Sequence, residues 1–154
     1  MVDPELLTAL DAFIARPQRR TFDDGHIGGL QIQEYWHADV LPAGSEQQLS
    51  FYRAEATAFD SIDAFASAVF LFSCEDDITY ADRSIIDVSD TLTEIAPLSF
   101  ADEWQCHAAK VREAPPISVD MLLNAWSITD EWNDKLFVAD GTSHLFGLNW
   151  ATSA

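Results

Sequence analysis

Apolar positions recur first at helical spacing. Leu6, Leu7, Leu10, Phe13 and Ile14 follow Asp3, a candidate cap, and Pro4, which suits a first helical position. This predicts an amphipathic helix that ends at Pro17. A loop of mixed charge follows from Gln18 to Gly29, with Arg19, Arg20, Asp23, Asp24 and the Gly28-Gly29 pair. The period then becomes two. Leu30, Ile32, Glu34 and Trp36 alternate with Gln31, Gln33 and Tyr35, and Gln48 to Ala56 repeats the habit, so two antiparallel strands are expected across the Pro42-Ala43-Gly44 turn.

In the middle of the chain, Ser61 to Ala66 reads as a helical turn and Val69 to Phe72 as a β-prone run. That run ends in Cys74-Glu75-Asp76-Asp77 before Ile78-Thr79-Tyr80, which would put three carboxylates at a hairpin tip. Ile85 to Val88 favours a strand and Asp90 to Ile95 a short helix before Pro97. Ser99, with Asp102 three residues on, is expected to cap a helix reaching Ala114, with Phe100, Trp104, Ala108 and Val111 as its apolar stripe. Pro115-Pro116 would stop it, and Ser118 would cap another helix carrying Met121, Leu122, Leu123 and Trp126. Leu136 to Ala139 and His144 to Trp150 flank Asp140-Gly141, a strong hairpin signal. These elements predict a single α+β domain over 1–154. Its antiparallel sheet of about five to seven strands, with the C-terminal Asp-Gly hairpin, would pack against about three helices.

Charge changes the picture most. Of 154 residues, 26 are Asp or Glu and 8 are Lys or Arg, a net charge of -18, yet 48% are hydrophobic. Ten Phe and five Trp supply the apolar area that disordered acidic chains lack, so a folded core is expected. Lys110 and Lys135 are the only lysines, which argues against direct nucleic-acid binding and against anionic membrane surfaces. A basic protein is the natural electrostatic partner. Cys74 and Cys106 form no disulfide or metal spacing and read as reduced thiols. With no basic leader or long apolar run in the sequence, a cytoplasmic location is expected.

Catalytic and metal motifs are missing. His26, His37, His107 and His144 form no ligand pair at helical spacing, and Gly28-Gly29 alone makes no phosphate loop. Cys74, Glu75, Asp76, Asp77 and Asp82 offer oxygen ligands but lack the alternation of a calcium loop. Neither a metal nor a cofactor is expected, and the chain is read as a binder rather than an enzyme.

Two acidic clusters are the candidate partner-binding residues. Glu75, Asp76 and Asp77, with Asp82, form the first. Asp130, Glu131 and Asp134 form the second, at the expected end of the Ser118 helix, where carboxylates oppose the macrodipole by roughly 0.3–1 kcal/mol unless the helix stops earlier. Trp132 would fall off the apolar stripe of that helix and face solvent, an aromatic anchor in an acidic surround.

In size, charge and lack of catalytic motifs the chain is similar to bacterial immunity proteins and DNA-mimic inhibitors, a compositional likeness without an alignable motif. It implies an inhibitor that neutralises a basic partner such as a nuclease toxin, with carboxylates in place of phosphates. The runner-up is an enzyme or ligand-binding domain whose pocket uses His37 or His107 with carboxylates. A third reading assigns the charge to salt adaptation, with no partner. A sheet edge at Leu30–Trp36 or Leu145–Trp150 would also offer pairing with a second copy or a partner chain.

Overall fold

A computed structural model describes residues 30–36, 47–73, 88–111 and 116–152, with side chains from 33 to 36 outside that description. The elements are β1 (Leu30–Trp36), β2 (Gln47–Glu55), α1 (Ile62–Ser73), β3 (Thr93–Ile95), α2 (Pro97–Ala108), β4 (Leu122–Glu131), β5 (Asp134–Gly141) and β6 (His144–Thr152). The six strands form one antiparallel sheet in the order β1-β2-β6-β5-β4-β3. The predicted N-terminal helix, the Pro42 turn and the segment 74–87 lie outside the described residues.

Alternate side chains along a strand reach opposite faces, and here each face is covered by a helix. On one face, Phe65, Val69 and Phe72 of α1 pack with Tyr52, Leu136, Val138 and Leu145. On the other, Phe100 and Trp104 of α2 pack with Phe51, Phe137, Phe146 and Leu148. Trp104 is fully buried, its ring 4.7 Å from that of Phe51 and 5.8 Å from that of Phe146. Covering both faces makes Leu136-Phe137-Val138-Ala139 a run of four buried residues rather than an alternation.

The α+β class and the paired strands at Leu30–Trp36 and Gln47–Glu55 agree with the sequence reading. Two α-helices are present among the described residues, against about three expected. Val69 to Phe72 is helix, not strand. Ser61 starts it, its Oγ accepting the Ala64 N–H at 3.2 Å, and burial of Leu71 and Phe72 on the sheet outweighs the β preference of the run. The helix before Glu75 therefore removes one of the two strands that the expected hairpin tip required. Helix α2 begins at Pro97, whose locked φ suits the first turn, and its N-cap is Ala96 rather than Ser99. It ends at Ala108, short of Ala114. The short helix expected over Asp90 to Ile95 is a single 3-10 turn, Ser89–Thr91, followed by β3.

The predicted Ser118 helix is strand β4, preceded by a 3-10 turn over Val119–Met121. Register shifts between Leu122 and Asn124 and between Ser127 and Thr129 break its period of two. Leu122 and Ala125 therefore face α2 while Trp126 packs toward α1, an apolar spacing of three and four that imitates a helix. The β5–β6 turn is Thr142-Ser143, two residues beyond the expected Asp140-Gly141. Gly141 is a site of close approach instead: a Cβ there would lie 2.5 Å from the Met121 carbonyl oxygen and 2.8 Å from that of His144. Strand β6, which contains Leu145–Trp150, lies between β2 and β5 and is no edge, whereas β1 ends the sheet among the described strands.

Candidate binding site

Strands β4 and β5 meet in a hairpin whose two-residue loop is Trp132-Asn133. Such loops favour Asn, Asp and Gly, so a Trp at the first position is a poor local choice. Its side chain is 74% exposed. Trp132 is thus in the expected solvent-facing position, but on a hairpin tip rather than a helix.

The register splits the second acidic cluster between the two faces of the sheet. Glu131 pairs with Asp134, and Asp130 with Lys135. Like charges directly opposite one another on neighbouring strands are destabilising. Partial burial, and then the Glu131 charge, hold the Asp134 carboxyl above its ordinary range, while a hydrogen bond with Asn149 pulls the other way. The first cluster, Glu75, Asp76, Asp77 and Asp82, lies outside the described residues.

Asp130 lines an open cleft of about 510 Å³ between α2 and the β3–β5 end of the sheet, together with Ile95, Ser99, Asp102, Glu103, Cys106, Lys135 and Phe137. Glu103 organises its inner wall. Lys135 Nζ donates to Glu103 Oε1 at 2.9 Å, and His107 Nε2 approaches Glu103 Oε2 at 3.4 Å. Lys110 Nζ lies 3.2 Å from His107 Nδ1. A lysine ammonium can only donate, so Nδ1 is the acceptor and the proton of a neutral ring sits on Nε2, facing Glu103. Burial first, then the Lys110 charge, lower the His107 pKa to about 4. Its ring stacks on Trp150 at 5.5 Å, and Trp150 Nε1 donates to Gln47 Oε1 at 2.8 Å.

Both lysines of the chain therefore serve one Glu103–His107 pair. The hydrogen bond from Lys135 to Glu103 is the main reason the Lys135 pKa is raised. His107, a candidate acid or base, is 5% exposed, neutral at pH 7, and not among the residues lining the cleft. His37, the other candidate, lies outside the described residues. Among the described residues no group of three or more His, Cys, Asp and Glu could hold a metal ion, and no helix is long and apolar enough to cross a membrane.

Sequence reasoning missed Glu103, Cys106 and Lys135 as cleft residues and read Asp102 as part of a helix cap. One faint signal existed. Asp102-Glu103-Trp104 and Asp130-Glu131-Trp132 repeat a motif, and Asp102, Glu103 and Asp130 line the same cleft.

Fold and site together define a six-stranded antiparallel sheet with a helix on each face and an acidic, tryptophan-tipped hairpin beside a charged cleft. No family model, curated protein or solved structure matches the chain.

Proposed function

We propose that this chain is a small acidic binding protein that acts in the cytoplasm as an inhibitor, in the manner of immunity proteins and DNA mimics. Its partner is a basic protein such as a nuclease toxin or another nucleic-acid-handling protein. The observation that carries this reading is Trp132, 74% exposed in a tight hairpin loop between Asp130-Glu131 and Asp134. Two local rules are broken at that tip: the Trp in the loop and the Glu131–Asp134 like-charge pair. Departures of this kind concentrate at functional positions. A partner's Arg or Lys would relieve the repulsion, and the indole would supply a desolvated anchor. The net charge of -18 would speed encounter through long-range attraction.

The test is capture of basic proteins at low salt, followed by kinetics with the captured partner. Trp132→Ala is expected to raise the dissociation rate by tenfold or more, roughly the loss expected at a binding hot spot. Glu131→Gln with Asp134→Asn is expected to slow association at low salt and to have little effect at high salt. Unchanged rates in both variants would refute the hairpin as the contact.

A further inference from the structure

We propose that Lys110 and His107 form an acid-sensitive latch at the end of α2: the Lys110 ammonium pins the turn after the helix while the ring is neutral, and is expelled when the ring takes a proton. The latch stands on donors and acceptors. Lys110 Nζ lies 3.2 Å from His107 Nδ1 and 6.0 Å from the centroid of the Trp150 ring, so a lone pair and an aromatic face hold one ammonium. An imidazolium offers no such lone pair, because both ring nitrogens then carry protons. Protonation at Nδ1 therefore sets two donors and two positive charges 3.2 Å apart, and Lys110, the exposed partner, is the one free to leave.

His107 is built to stay. Its ring is buried and stacked on Trp150 at 26°, and Nε2 already faces Glu103 Oε2 at 3.4 Å. The imidazolium keeps both contacts and replaces the lysine as the cation on Trp150, so α2 remains docked while the turn behind it loosens. In that turn the Lys110 N–H donates to the His107 carbonyl at 3.0 Å and the Val111 N–H to the Ala108 carbonyl at 3.3 Å. Among the described residues, the charged groups facing the ring are Glu103 and Lys110 from α2 and Lys135 from β5. Strand β6 presents Trp150 and β2 presents Gln47 behind it, neither of which takes up a proton. Burial, Lys110 and Lys135 oppose the proton and Glu103 favours it, which sets the exchange at acid pH, about 4.

The test follows the full chain at micromolar concentration from pH 7 to pH 3.5. Exchange of the His107 ring C2 proton, separated from that of the other histidines by peptide mass spectrometry, reads the titration of the ring. Fragment-resolved amide exchange, corrected for intrinsic rate, reads the turn. Protection of the Lys110 and Val111 amides is expected to fall about three- to tenfold as the ring titrates, with Ala101 to Trp104 unchanged. Lys110→Met keeps the apolar stem without the ammonium, so its ring is expected to titrate roughly one pH unit higher and its turn to be weakly protected at every pH. His107→Gln, which takes no proton, is expected to hold constant protection. Constant protection through the titration in the parent chain, an unmoved titration in Lys110→Met, an undiminished fall in His107→Gln, or loss of protection throughout α2 at the same pH would overturn the latch.

Discussion

Lys135 and Glu103, 32 positions apart in sequence, form a 2.9 Å ion pair that ties β5 to α2. Glu103 also faces His107 one helical turn on, so it anchors two groups while Lys135 anchors one. The two partners should therefore respond unequally to truncation. Lys135→Met removes a half-exposed pair and is expected to cost about 0.5 kcal/mol. Glu103→Ala leaves a buried ring N–H without its acceptor and is expected to cost about 1–2 kcal/mol. Urea denaturation of the two variants measures the difference. The raised Lys135 pKa contributes stability that is complete below its ordinary value of 10.5 and lost as pH rises through the higher folded value.

The opposite sign applies to His107. Its pKa falls from 6.5 to about 4 on folding, so the folded state prefers the neutral ring. Its contribution is complete above pH 6.5 and is lost as pH falls toward 4, by up to about 3 kcal/mol. Urea midpoints between pH 7 and pH 4 are expected to fall more steeply in the parent chain than in His107→Gln. Parallel slopes would contradict the neutral, buried imidazole.

Asp134 carries the reverse relation to stability. Burial and the opposing Glu131 raise its folded pKa, so its charge opposes folding at neutral pH and that penalty is relieved as pH falls through the folded value. Asp134→Asn is expected to stabilise the isolated chain by about 0.5 kcal/mol, and the gain should shrink in a Glu131→Gln background because both remove the same repulsion. Thermal denaturation of the two single variants and the double variant measures this coupling.

Gly147 admits α1 to the sheet. A Cβ there would lie 3.2 Å from Tyr52 Cβ and 3.2 Å from Val69 Cγ2, both in the α1-side core. Gly147→Ala is expected to destabilise by about 1–3 kcal/mol through overpacking. Pairing it with Val69→Ala should recover part of that loss, and chemical denaturation of the double variant provides the check.

Salt separates an acidic contact surface from general salt adaptation. Screening the self-repulsion of a chain with net charge -18 should raise its melting temperature in molar salt under either reading. A salt-sensitive on-rate with a captured partner, lost together with Glu131 and Asp134, is expected only of the contact surface.

By itself the sequence determined what periodicity and composition control: an α+β chain, the β1–β2 pair, the apolar stripe of α2 around Trp104, and an acidic surround for Trp132. Tertiary structure decided the rest. Two register shifts in β4 gave a strand the apolar spacing of a helix, and burial against both helices erased the alternation of β5. Helix α1 overcame the β preference of Val69 to Phe72 because packing on the sheet outweighs local propensity. The cleft joins Asp102, Glu103 and Cys106 to Asp130 and Lys135 through strand pairing and helix docking, and such joining across distant segments leaves no periodic trace in a sequence. Neighbours in sequence are likewise sent apart: Asp130 faces the cleft and Glu131 the other side of the sheet, because successive residues of a strand point to opposite faces.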